Sequence, residues 1–135
     1  MEQLDLMLAD HNNWLNGQVG GIRFDVSLLY LDGVNLIGCD LRHGQFCYTT
    51  LTNADLNRSN LQQADFEGAI LNRSKLVNSN LSGANLRHAN LNGADLRGAD
   101  LSGADLRNTQ LDGVKLDGAN LDGAQLPAKY KEVKV

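Results

Sequence analysis

The chain has 135 residues, enough for one domain, and its formal charge of −4 with a pI near 5.2 argues against general nucleic-acid or anionic-membrane binding. No apolar run is long enough for a transmembrane helix, and residues 1–20 hold Glu2, Asp5 and Asp10 with no basic residue, unlike a secretory signal. Cys39 and Cys47 make neither a disulfide framework nor a four-ligand zinc site, so the expected setting is a reduced cytoplasm; the sparse aromatics, single proline and 14 glycines point to a repeat architecture.

The first expected element is a helix over residues 2–15. Leu4, Leu8, His11 and Leu15 recur at helical spacing with Met7 and Trp14 beside them, and Asn16-Gly17 supplies a stop. The stretch reads as an amphipathic cap, and residues 1–23 form the cap with its connecting loop.

From residue 24 the pattern changes to a period of five. Positions 26, 31, 36 and onward to 126 number 21, of which 18 are Leu and the others Val26, Phe46 and Phe66. Two residues earlier the side chain is small at all but Phe24, Leu29, Val34 and Val114, and the residue just before the Leu is Asp or Asn at 13 of 21 positions. Ten of the 21 positions two after the Leu are Gly. A helix would spiral these leucines around its axis, and a flat strand would flip each to the opposite face. Both fail unless the chain turns once per repeat. With Asp, Asn and Gly supplying the tight corners, the chain closes into a coil and stacks on itself as a solenoid.

The A-[DN]-L-x-x pattern, as in Ala94-Asp95-Leu96-Arg97-Gly98, resembles the pentapeptide repeat proteins across about residues 24–128. The resemblance implies an all-β solenoid: a right-handed quadrilateral β-helix with four repeats per coil. The 21 repeats then make about five coils, roughly 25 Å tall. Residues 20 apart should stack. Phe46 should touch Phe66, Cys39 should face the interior and Cys47 the outside. The column Asn35, Asp55, Lys75, Asp95, Lys115 reads as a charge-alternating ladder that stabilises the stack. The enlarged Phe24, Leu29 and Val34 should meet the cap. After Pro127, which ends the ladder, residues 129–135 form a charged tail whose Tyr130, Val133 and Val135 are expected to fold over the last coil.

Chemistry is not expected. His11 reads as a packed histidine of the cap, His43 and Cys47 lack a third group to orient them as a nucleophile pair, and Asp112, Asp117 and Asp122 point to different faces. No catalytic residue, cofactor or metal site is assigned, and an interior filled with Leu and Ala should leave no pocket. The expected function is a non-catalytic protein-interaction or scaffold module, a monomer or end-to-end dimer, with an unknown protein partner, no membrane and no direct nucleic-acid contact. Its candidate partner surface is the apolar set Tyr30, Tyr48, Ile70, Ile37 and Val77, with Leu28 at a corner. The competing expectation is that the cap and the loop at 17–23 cover this set.

The alternative function is a DNA-mimicking inhibitor of a type II topoisomerase, DNA gyrase, which the resemblance implies for some family members. Against it stand the mixed signs of the surface, with 12 acids and 8 bases over 24–128. The column Asp25, Gln45, Asp65, Asn85, Asp105, Gln125 carries an acid only every second coil.

Overall fold

A computed structural model describes residues 2–130. Helix α1 spans Glu2–Leu15, and a single 3-10 turn lies at Ala128–Tyr130. Between them the chain makes a β-helical coil. Every bridge between Asp25 and Gln125 is parallel and joins residues 20 apart, such as Asp25 to Gln45 and Tyr30 to Thr50. A coil therefore has four sides of five residues. Side one carries 25, 45, 65, 85, 105 and 125; sides two, three and four begin at 30, 35 and 40. The sides are shorter than expected for an all-β chain. Each contributes one bridging residue per coil, and no extended strand forms among the described residues.

The period of five has a local cause. The N–H of each small residue donates to the carbonyl of the preceding core residue, as Ala94 does to Leu91 at 2.9 Å. This closes a turn whose third residue lies in left-handed backbone, the geometry of a type II turn. Gly93 occupies that place with φ 72°. Half of these positions are not glycine, and they adopt the same conformation, Leu28 at φ 67° and Tyr48 at 55° among them.

The Asp or Asn before each Leu does something different from the turn-making expected of it. Its Oδ1 accepts the N–H two residues on, which the coil-to-coil ladder leaves without a partner. All 13 such residues do this, Asp100 to Ser102 at 2.9 Å being typical. Where the position is Thr50, Lys75 or Gln110, an Asx from the coil above takes over. Asp32 reaches the N–H of Thr52, Asn57 that of Val77 and Asn92 that of Asp112.

The interior is a continuous column of Leu with Ala, Ser and Thr between. Several buried hydroxyls find acceptors, Thr49 at the Val26 carbonyl (2.8 Å) and Ser59 at that of Leu56 (2.6 Å), whereas the buried Ser74 Oγ has none. Phe46 stacks on Phe66 with centroids 4.5 Å apart and 13° between planes. Phe24 joins them from a small-residue position, 5.5 Å from Phe46.

Helix α1 closes the N-terminal end only in part. Leu4, Met7 and Leu8 pack on the core, and His11 is fully buried, its Nδ1 accepting the Phe24 N–H at 2.9 Å. The Ile22 N–H donates to the Asp10 carbonyl (3.1 Å), and Trp14 packs edge-on against His43. These contacts fall on sides one and four. Leu29, expected beneath the cap, is 47% exposed on side two, and Val34 is half-buried. Cys39, expected to face the interior, is only partly buried in the first coil. At the other end Tyr130 packs against the core; Val133 and Val135 lie outside the described residues.

Candidate interaction surface

Every large hydrophobic residue exposed among the described residues lies at or before Ile70. Coil register decides which of them meet. Tyr30, Thr50 and Ile70 bridge in one column on side two, so Tyr30 and Ile70 are two layers, roughly 10 Å, apart. The turn leading into that side carries Leu28 above Tyr48, and the Tyr48 ring lies across Gly68 one coil below. Leu28 is 72% exposed, Tyr30 85% and Tyr48 55%. Neither the cap nor the loop at 17–23 covers them.

Ile37 and Val77 do not join this cluster. Their turn follows side three, about half a coil from the Leu28–Tyr48 corner, and Asn57 separates them within their own column. The structure thus brings together Tyr30, Tyr48 and Ile70, with Leu28, and leaves Ile37 and Val77 on the far side. The loop residues Val19 and Ile22, and Leu29, add exposed apolar surface at the same end of the coil, a contribution that the five-residue pattern did not reveal because tertiary placement of the cap decides it.

The remaining surface is polar and locally paired. Arg42, Arg97 and Arg107 each clamp the Asp two residues earlier, with N–O contacts of 2.8, 2.7 and 2.7 Å. Hydrogen bonds from these guanidiniums hold the Asp40, Asp95 and Asp105 carboxyls below the usual carboxylate range. The lysines of the expected side-three ladder make no ion pair among the described residues. Asp95 turns to Arg97 in its own repeat, because an Arg two residues on reaches both carboxylate oxygens at once.

Among the described residues no set of side chains converges on a reaction. Burial, followed by a hydrogen bond with Asp65, raises the Cys47 thiol to about 11, far from a nucleophile's range. Burial likewise raises Cys39. His43 contacts Trp14, and Asp112 pairs with Lys129 at 3.5 Å. Among the described residues no group of metal-ligating side chains comes together. The interior does not fill completely: where the leucine ladder runs out, Leu111, Val114, Leu116, Leu121, Leu126 and Tyr130 line an apolar hollow of about 220 Å³.

A family model described as a pentapeptide repeat region matches residues 49–126, more than half of the chain. A pentapeptide repeat protein from the Arabidopsis thaliana thylakoid lumen is 28% identical, with a TM-score of 0.57 over 71% of this chain and 63% of its own. The matched part is thus less than two thirds of that protein's length. A pentapeptide repeat protein from Nostoc PCC 7120 is also 28% identical, covering 93% of this chain and 88% of its own with a TM-score of 0.40. No curated protein sequence matches the chain.

Proposed function

Because the chain belongs to the pentapeptide repeat proteins, right-handed β-helical solenoids, we propose that it serves as a non-catalytic interaction module whose protein partner docks on Leu28, Tyr30, Tyr48 and Ile70. The observation that carries this is Leu28. It holds left-handed backbone, which costs an L-residue roughly 1–2 kcal/mol, and it exposes most of an apolar side chain. Glycine fills the same turn position elsewhere without strain. Neither folding nor solubility favours a leucine there, whereas an apolar and aromatic contact surface does. The setting of this reading is a reduced cytoplasm, in keeping with two cysteines that remain unpaired.

Gyrase inhibition by DNA mimicry fits the surface less well. On the side-one column, Asp65 accepts from Asn85 (3.1 Å) and Asp105 is clamped by Arg107, with Arg87 4.0 Å away. Arginines thus neutralise Asp105, and an amide engages Asp65, on the stripe that would stand in for phosphates.

Capture from host extract tests the proposal. Wild-type protein should retain a defined partner that the folded double variant Tyr30→Lys with Ile70→Lys loses. Equal retention by both would contradict it. Purified protein should leave gyrase supercoiling unchanged; inhibition removed by altering Asp65 and Asp105 would favour the alternative.

A further inference from the structure

The first coil ends in an open β-edge, and it is open on the same side as the apolar cluster. Within the stack each side donates one N–H upward and two downward, as Thr50 donates to the Leu29 carbonyl while Leu31 and Gly33 donate to the carbonyls of Thr50 and Thr52. The first coil has no coil above it. On side one the upward-donating Asp25 N–H is likewise without a backbone partner among the described residues, but helix α1 lies over that side, its His11 accepting the neighbouring Phe24 N–H. On side two the Tyr30 N–H and the Tyr30 and Asp32 carbonyls have no backbone partner among the described residues. Leu28, Leu29 and Tyr30 border that edge and are all exposed.

Charge is concentrated at the same end. Residues 2–38 contain Glu2, Asp5, Asp10, Asp25 and Asp32 against Arg23 alone, a net of −4. Residues 39–130 hold ten acids and nine bases, so the rest of the described tower is close to neutral. The net negative charge of the described residues thus lies mostly at the N-terminal end of the coil, with Asp32 beside the open edge.

An unpaired edge, an apolar border and a negative field together specify what binds. We propose that side two of the first coil takes up an extended, lysine- or arginine-bearing segment of a partner protein as an added parallel strand. Its backbone accepts from the Tyr30 N–H and donates to the Tyr30 and Asp32 carbonyls. Its apolar side chains rest on Leu28, Leu29 and Tyr30, and its basic side chains face Asp25 and Asp32. A straight segment follows one side only, so Asn35, beyond the corner on side three, stays unpaired. The inference rests on the interaction-module reading and specifies the partner's chemistry.

The test is amide NMR with hydrogen exchange on the full chain, titrated with a short peptide of alternating lysine and valine. The Tyr30 amide should shift and exchange at least about tenfold more slowly, while the Asn35 amide does not change. The same peptide with glutamate for lysine should produce neither effect. Asp25→Asn combined with Asp32→Asn keeps both Oδ1 acceptors and should weaken the lysine peptide about three- to tenfold at low salt. Leu29→Lys, at an exposed position, should abolish binding with the amide spectrum otherwise native.

An unperturbed Tyr30 amide at saturating lysine peptide would overturn the proposal, as would equal binding of the glutamate peptide. Tyr30 protection that grows with protein concentration without peptide would assign the edge to a second copy, also against it. A partner captured from extract equally by wild type and Leu29→Lys would leave the interaction surface standing and remove strand addition. Peptide binding at Tyr30 without any partner lost in Tyr30→Lys with Ile70→Lys would do the reverse.

Discussion

Leu28 and Gly93 occupy the same place in their turns, at φ 67° and 72°, yet one is a strained, exposed leucine and the other an unstrained glycine. Leu28→Gly should therefore raise stability by roughly 0.5–1 kcal/mol, seen as a higher melting temperature, while weakening partner capture. A lower melting temperature would make Leu28 a structural residue. The aspartates work in the other direction. Hydrogen bonds from Arg97, Arg107 and Ser102 lower the folded pKa of Asp95, Asp105 and Asp100. The unfolded chain then binds protons first as pH falls, so their stabilisation is complete above the ordinary carboxylate range and is lost below about pH 4. Asp100→Ala should cost about 1 kcal/mol in denaturant unfolding, because it orphans the Ser102 N–H. The preference for Asp or Asn before each Leu was legible in the sequence. Its purpose was not, since a residue that adopts tight turns and one that caps a neighbour's N–H leave the same compositional trace.

Helix α1 was legible as an amphipathic stretch ending at Asn16-Gly17, and the structure places it at Glu2–Leu15. What it covers was not legible. Position in the repeat marked Phe24, Leu29 and Val34 alike, but the helix crosses only sides one and four, so Phe24 is buried and Leu29 is not. Close approach at Gly21 and the buried His11 are among the contacts that hold the helix there. A Cβ on Gly21 would lie 2.6 Å from the Trp14 Cα. Gly21→Ala should consequently lift the cap and redshift Trp14, the only tryptophan, while the coil keeps its β signal. An unchanged emission spectrum would mean that the loop adapts. His11 adds a pH dependence. Its Nδ1 accepts a hydrogen bond and burial lowers its pKa below 6.5, outweighing the attraction of Asp40. The unfolded or undocked ring then takes up a proton first. Docking is strongest above pH 6.5 and weakens as pH falls below it, well before the aspartates titrate. Trp14 fluorescence against pH should show this earlier step, and His11→Gln should remove it.

At the scale of the molecule, one regular column of leucine gives the tower its rigidity and leaves its ends as the places where anything irregular occurs. Leu76→Asp, in the middle of that column and fully buried, should cost roughly 4 kcal/mol or more and unfold or aggregate the protein. A folded, soluble variant at neutral pH would mean that the middle coils are looser than this packing. The period of five carried the register, the stacking of Phe46 on Phe66 and the column Tyr30–Thr50–Ile70, since each follows from counting by 20. Counting also separated Ile37 and Val77 from that column, though their shared apolar character grouped them with it. The asymmetry on which the proposed binding rests, with exposed apolar residues, an open edge and most of the net charge at the N-terminal end, depends on where the cap stops. The most direct test of whether that end is the working end is a hydrogen-exchange footprint of the protein bound to the partner it captures. Protection confined to 28–32, 48–50 and 70, with 80–126 unchanged, is the expected result. A footprint running along Asp65, Asn85 and Asp105, or gathered at the hollow beside Tyr130, would place the interaction elsewhere and contradict it.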